Sequence, residues 1–271
     1  MAESFLKKYP ADQRLFKSKN STYQGWNSNS CIFGIPHHNN PLPSIDKLPD
    51  NTTSVYSYFG EGNFEIIENL IEKDLHKHLE HLAIGSQISN YKFGFKNYAR
   101  ISELLSTVEF PKLKTFEYGD EFLLANQDMY YPNLGDITGA LKNMPALEHL
   151  ELLGVFELKT KVNLQKLKEI TVGSCWVTDE QLGFISQNTL DMLLASNFVS
   201  LEALNLDLIC GHSYTTGVKH FYELNERLLL NFRTLNTLYI CGHFKHGTVD
   251  RLSKLLFGKI QKLSLKDMEE S

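Results

Sequence analysis

Short apolar motifs with the spacing apolar-x-x-apolar-x-apolar recur along most of the chain. The fourth and sixth residues of such a motif share one face of an extended strand, because successive side chains point to opposite faces. The motifs are Leu79/Leu82/Ile84, Leu113/Phe116/Tyr118, Leu147/Leu150/Leu152, Leu167/Ile170/Val172, Leu201/Leu204/Leu206, Leu235/Leu238/Ile240 and Ile260/Leu263/Leu265. Their first residues are separated by 34, 34, 20, 34, 34 and 25 positions. This pattern predicts seven short strands at a recurring period.

Between the motifs, apolar residues at spacings of three and four predict helices. The helical patterns are Tyr98/Ile101/Leu104/Leu105/Val108, Val218/Phe221/Tyr222/Leu228/Leu229 and Val249/Leu252/Leu255/Leu256, and Thr178 with Gln181 has capping-box spacing at the start of a fourth. The gap between Leu147 and Leu167 is too short for a helix and its turns, so we expect an extended return there. The alternation of strand motifs with helical patterns predicts an α/β leucine-rich-repeat solenoid, which is a horseshoe with a parallel concave sheet and convex helices.

Two resemblances agree with this prediction. Residues 167–179 resemble the repeats of ribonuclease-inhibitor-like proteins, with Cys175 at the ninth position, where we interpret it as a buried structural thiol. Residues 55–256 resemble a family of bacterial cytoplasmic leucine-rich-repeat proteins of undetermined function. The matching segments are Leu82-Ala-Ile84-Gly85, Phe110-Pro111-Lys-Leu113-Lys-Thr-Phe116-Glu-Tyr118-Gly119-Asp120 and Met144-Pro145-Ala-Leu147-Glu-His-Leu150. The resemblance implies the fold and assigns no reaction.

The chain divides into two parts by composition. Residues 1–52 are rich in Asn, Ser, Pro and Lys. Any regular pattern there is interrupted by Pro36, Pro41, Pro43 and Pro49, so we expect an irregular N-terminal arm. Residues 53–271 form the predicted repeat domain, which begins with a capping strand near Val55 and a capping helix. Within it, the stretch 119–135 contains Tyr130 and Tyr131. This stretch is either an irregular convex segment or a rim loop that presents aromatic anchors to a partner.

The positions that flank the buried residues of each motif carry the candidate binding chemistry. These third, fifth and seventh positions include the carboxylates Glu117, Glu151, Glu169 and Asp207, together with His149 and Tyr239. We hypothesise that they form an acidic surface that attracts a basic or mixed-charge surface of another protein. The alternative is a solvated polar face that binds nothing.

Composition narrows the class of protein. The 271 residues include 42% hydrophobic residues, enough for one large core, and 27 Lys+Arg against 32 Asp+Glu give a net charge of −5. This mild acidity argues against nucleic acid as the partner. We expect a cytoplasmic protein without membrane contact, because neither an apolar leader nor a run of about 18 apolar residues is found.

Neither metal nor catalytic motifs change this interpretation. The tetrapeptide Ile-Cys-Gly-His occurs at 209–212 and 240–243, but the copies are 31 residues apart and therefore occupy different motif positions. We interpret them, and the group His76, His78 and His81, as coincidental, and we expect no metal or cofactor. Phosphate-loop, dinucleotide and nucleophile-elbow motifs are absent. The sequence therefore predicts a non-enzymatic protein-binding module. The alternatives are a cytoplasmic immunity protein that neutralises a toxin by direct binding, and an enzyme that uses these carboxylates with His81 or His149.

Overall fold

A ten-stranded sheet organises the chain. The computed structural model describes residues 24–27, 30–33, 52–57, 63–85, 98–119, 133–173, 184–208 and 221–267. The strands of the sheet are β1 (Gln24–Asn27), β2 (Ser30–Phe33), β3 (Ser54–Ser57), β4 (His81–Ile84), β5 (Thr115–Gly119), β7 (His149–Leu153), β9 (Glu169–Gly173), β10 (Ala203–Leu208), β11 (Thr237–Gly242) and β12 (Lys262–Asp267), adjacent in that order. The β1–β2 pair is antiparallel, and every later pair is parallel. The protein thus has a mixed α/β fold with a large parallel sheet.

Helices and a second, small sheet accompany the main sheet. The helices are α1 (Asn63–Glu72), followed by a 3-10 turn (Leu75–Lys77), α2 (Ala99–Leu105), α3 (Thr138–Lys142), α4 (Gln187–Leu194), α5 (Glu226–Leu229) and α6 (Thr248–Leu256). Strands β6 (Asn133–Asp136) and β8 (Val155–Glu157) pair in parallel in the small sheet. None of the helices in the described ranges is long and apolar enough to cross a membrane.

All seven apolar motifs form strands, and each strand begins at the third residue of its motif. The register places equivalent positions side by side, so that Leu150 is opposite both Phe116 and Ile170. From β4 to β11 the fourth and sixth residues are buried, while the third and fifth are mostly half-exposed. The buried residues join those of the helices in one core cluster. The alternation in the sequence therefore identifies correctly which side of each strand faces the core.

The predicted helices have mixed outcomes. The patterns from Tyr98 and from Val249 correspond to α2 and α6, and the return between β7 and β9 is extended, as expected. The prediction of a long helix from Val218 is wrong within the described part, where only the four residues of α5 are helical. Tyr222 instead forms an isolated bridge with Phe244, and its hydroxyl donates to the Ile185 carbonyl oxygen at 2.6 Å. Thr178 and Gln181 lie outside the described residues.

The N-terminal residues add strands to the sheet. The strand expected near Val55 is β3, and α1 follows it where a helix was expected. Strands β1 and β2 lie within residues 1–52, so part of this segment has regular structure where the composition indicated none. The prolines at 36, 41, 43 and 49 do not prevent these two strands from forming, because all four follow β2 in the sequence.

Candidate functional site

One side of the large sheet carries polar side chains from β4 to β11. We call this side the polar face and define it by the third, fifth and seventh positions of those six motifs. It includes all of the sequence-predicted binding residues that the structure describes, namely Glu117, Glu151, Glu169, Asp207, Tyr239 and His149. The strand residues of this face include no Lys and no Arg. The other two predicted residues, Tyr130 and Tyr131, lie outside the described residues.

Three of the four carboxylates are gathered on neighbouring strands. Glu117 of β5 and Glu151 of β7 are directly opposite each other in the parallel register. Glu169 of β9 extends the group by one strand. Two carboxylates in adjacent strands at equivalent positions repel each other, because neighbouring strands are only about 4.8 Å apart. A shallow depression lies over this group, lined by Thr115, Phe116, Glu117, His149, Leu150, Glu151, Glu169 and Thr171.

A histidine lies beside Glu117. The His81 Nε2 atom is 3.5 Å from Glu117 Oε1, and these side chains are only 17% and 12% exposed. On the other side of the ring, the Tyr56 hydroxyl is 3.3 Å from His81 Nδ1, and the two ring centroids are 4.6 Å apart. Both polar distances exceed those of strong hydrogen bonds. The arrangement therefore places an imidazole ring next to the carboxylate without a short hydrogen bond between them.

A second histidine lies on the other side of the group. His149 Nδ1 is 3.4 Å from Glu169 Oε2, and both side chains are partly exposed. His149 is one of the residues predicted to bind a partner, whereas His81 was predicted to act only in the enzyme alternative. The closeness of His81 to Glu117 could have been inferred from the sequence. His81 is the third residue of the motif that precedes the motif of Glu117, and successive motifs form neighbouring strands.

Asp207 is not part of the carboxylate group. It occupies the seventh motif position on β10, opposite Cys241 of β11 and Gly173 of β9, whereas Glu169 of β9 is at the third position, opposite Ala203. Cys241 is buried and free, and burial raises the pKa of its thiol above the usual 9.0. Burial also raises the pKa of the neighbouring Tyr239 phenol, with a further contribution from Asp207. Neither group is ionised near neutral pH, so this end of the face lacks a thiolate nucleophile.

Lys114 and Lys168 immediately precede β5 and β9, at the start of the strands instead of on the polar face. The second motif positions read Glu80, Lys114, Glu148 and Lys168, and we call these four residues the charged rim. Lys114 Nζ is 2.7 Å from Glu80 Oε2, and Lys168 Nζ is 2.6 Å from Glu148 Oε2. These contacts raise the pKa values of both lysines and lower that of Glu148. The rim therefore alternates in charge, whereas the polar face is acidic.

Metal binding has no support in the described residues, where no group of three or more His, Cys, Asp and Glu side chains is placed to hold an ion. The first Ile-Cys-Gly-His copy lies outside the described ranges, and in the second copy Cys241 and His243 are both buried. No protein-family model, curated protein or solved structure matches this chain.

Proposed function

We propose that the chain is a leucine-rich-repeat solenoid of the bacterial cytoplasmic kind that its motifs resemble, and that it acts as a non-enzymatic protein-binding module. The polar face would be the concave side of the horseshoe, and the bound partner would present a basic surface. The parallel order of the strands and the shared register of equivalent motif positions support this proposal.

The observation that carries the proposal is the group Glu117, Glu151 and Glu169 beneath a shallow depression. Glu117 lies directly opposite Glu151, and like charges at opposed strand positions repel each other. A lysine or arginine from a partner would remove that repulsion and gain attraction from several carboxylates at once. Complementary charge of this kind also accelerates and orients protein association.

Charge reversal tests the proposal. The double variant Glu117→Lys/Glu151→Lys, used as bait in a lysate of the source organism, should retain at least tenfold less of the partner that the unmodified protein captures. The matched control is Glu103→Lys/Glu109→Lys, which makes the same charge change at two exposed positions away from the sheet. Circular dichroism and a thermal melt check that each variant folds.

The comparison of the two variants decides the outcome. If both variants lose the partner equally, net charge rather than the polar face governs binding, and the proposal fails. Unchanged capture by the Glu117→Lys/Glu151→Lys variant, when it is folded, would also contradict the proposal. A capture lost only in that variant supports the polar face as the binding surface.

A further inference from the structure

The last strand of the sheet differs from the others in how well its core face is covered. In the motif of β12, Ile260, Leu263 and Leu265 are only partly buried, whereas the equivalent residues of β11 are at most 5% exposed. Phe257, at the end of α6, is 86% exposed. We call the set Phe257, Ile260, Leu263 and Leu265 the apolar end. These residues form an apolar surface at the edge of the core, and they are less buried than the equivalent residues of the earlier motifs.

The backbone of β12 also has an unpaired edge in the described part of the chain. Strand β12 is the last in the sheet and pairs with β11 alone. The Lys262 amide donates to the Asn236 carbonyl oxygen, toward β11. Because amides of successive strand residues point to opposite edges, those of Leu263 and Leu265 point outward. An open edge of this kind is a template for another strand.

Lysines surround the apolar end. Lys254, Lys259, Lys262 and Lys266 are exposed, and none has an ion-pair partner within the described ranges. By contrast, Lys114 and Lys168 of the charged rim each have a carboxylate partner. The surface therefore combines a free strand edge, half-covered leucines and four unpaired positive charges.

A second copy of the chain does not suit this edge. A two-fold axis would pair β12 antiparallel with itself. The register that places Leu263 opposite Leu265 of the other copy also places Lys262 opposite Lys266, twice in each dimer. Like charges directly opposite each other are destabilising, and lysines on edge strands generally prevent self-association. An occupant that brings carboxylates to these positions would instead complement the lysines.

We propose that the β12 edge binds an extended segment of a partner protein in which acidic and apolar residues alternate. The segment would add a strand to the sheet. Its apolar side chains would cover Leu263 and Leu265, and its carboxylates would lie beside Lys262 and Lys266. Lys262 and Lys266 are in register with Thr237 and Cys241 of β11, so they lie on the same side of the sheet as the polar face. The carboxylate group on β5, β7 and β9 is at least three strands away from them. The proposal does not depend on what that carboxylate group binds.

A defined peptide pair tests the proposal on the full 271-residue chain. The probe is the peptide Glu-Val-Glu-Val-Glu-Val-Glu, and its control is Lys-Val-Lys-Val-Lys-Val-Lys. We expect saturable binding of the acidic peptide alone, measured by fluorescence anisotropy. Hydrogen exchange should slow at the Leu263 and Leu265 amides when that peptide binds.

Charge-reversed variants make the test specific. Lys262→Glu/Lys266→Glu should weaken the acidic peptide at least tenfold and allow the basic peptide to bind. The control Lys112→Glu/Lys166→Glu changes exposed lysines elsewhere and should leave the affinity within twofold. Equal weakening by both variants, or binding without protection of Leu263 and Leu265, would overturn the proposal. So would a dimer in sedimentation analysis in which these two amides are already protected without peptide.

Discussion

At the scale of single residues, His76 is a titratable side chain whose environment opposes its charged form. It is 4% exposed, and its ring meets Phe110 edge-on with centroids 5.7 Å apart. Its Nδ1 atom has no hydrogen-bond partner within the described part of the structure. Burial lowers its pKa below the usual 6.5, because an imidazolium would lose its hydration there.

This lowered pKa makes the stability of the fold depend on pH. Between the pKa of the unfolded chain, about 6.5, and the lower pKa of the folded chain, the unfolded state binds more protons. As far as His76 is concerned, the free energy of unfolding should therefore be highest above pH 6.5 and should decrease as the pH falls below that value. Urea titrations at pH 7.5 and pH 5.5 measure this difference. The carboxylates with lowered pKa values titrate below this window, since their usual values are 3.8 and 4.5.

Two variants assign the effect to His76. His76→Phe keeps a ring beside Phe110 but cannot titrate, so its unfolding free energy should fall less between the two pH values. His78→Phe alters an exposed neighbour and should retain the full decrease. A His76→Phe protein with the same pH dependence as the unmodified protein would show that another group is responsible.

The polar face shows how far single residues can be predicted from sequence. The two-residue period of a strand was enough to place Glu117, Glu151 and Glu169 on one side of the sheet. The same pattern also predicted the register of equivalent motif positions. It did not predict the contact of His81 with Glu117, because these residues are at the third and fifth positions of their motifs and are not directly opposite each other. Asp207 is separated from Glu169 by its place along the strand, since Glu169 is opposite Ala203 and Asp207 is four residues further along β10.

At the scale of elements, the strands could be predicted better than the helices. A strand motif requires only three apolar residues at fixed positions, and all seven were located. Helical spacing is less specific, since Phe221 and Tyr222 fit a helix by spacing but lie in an extended segment bridged to Phe244. Strands β1 and β2 escaped prediction because neither carries the apolar motif.

At the end of β5, the backbone lies very close to that of β7. Gly119 has φ of +115°, and a Cβ atom there would lie 1.8 Å from the Leu153 carbonyl oxygen of β7. Gly119→Ala must therefore push β5 away from β7 as well as strain its own backbone. The matched control is Gly258→Ala, where φ is +76° and nothing lies within 4 Å of the added atom.

The two alanine variants should differ clearly in stability. Gly258→Ala should cost about 1–2 kcal/mol of unfolding free energy, from the left-handed backbone alone. Gly119→Ala should cost about 1–3 kcal/mol beyond that, the usual range for forcing extra atoms into a packed site. Urea denaturation measures both. Equal losses would show that β5 and β7 can separate at this point without penalty.

At the scale of the whole molecule, the net charge of −5 conceals two surfaces of opposite sign. The carboxylate group lies on β5, β7 and β9, and the unpaired lysines lie at and around β12. Strands β9, β10 and β11 separate β7 from β12 in the sheet. At about 4.8 Å per strand, Glu151 and Lys262 are therefore on the order of 20 Å apart. That distance exceeds the Debye length of about 8 Å at 0.15 M salt but not the length of about 30 Å at 0.01 M.

The two surfaces should consequently act independently in physiological salt and influence each other when salt is removed. At 0.15 M salt, the Glu117→Lys/Glu151→Lys variant should bind Glu-Val-Glu-Val-Glu-Val-Glu with an affinity within twofold of that of the unmodified protein. Salt screens the interaction between the reversed charges and the peptide at β12. At 0.01 M the same variant should bind this acidic peptide more tightly than the unmodified protein, since four units of positive charge are added within range. Anisotropy titrations at both salt concentrations measure the ratio. If the substitutions change the peptide affinity equally at both salt concentrations, they act on β12 through altered packing of the sheet and not through long-range electrostatics.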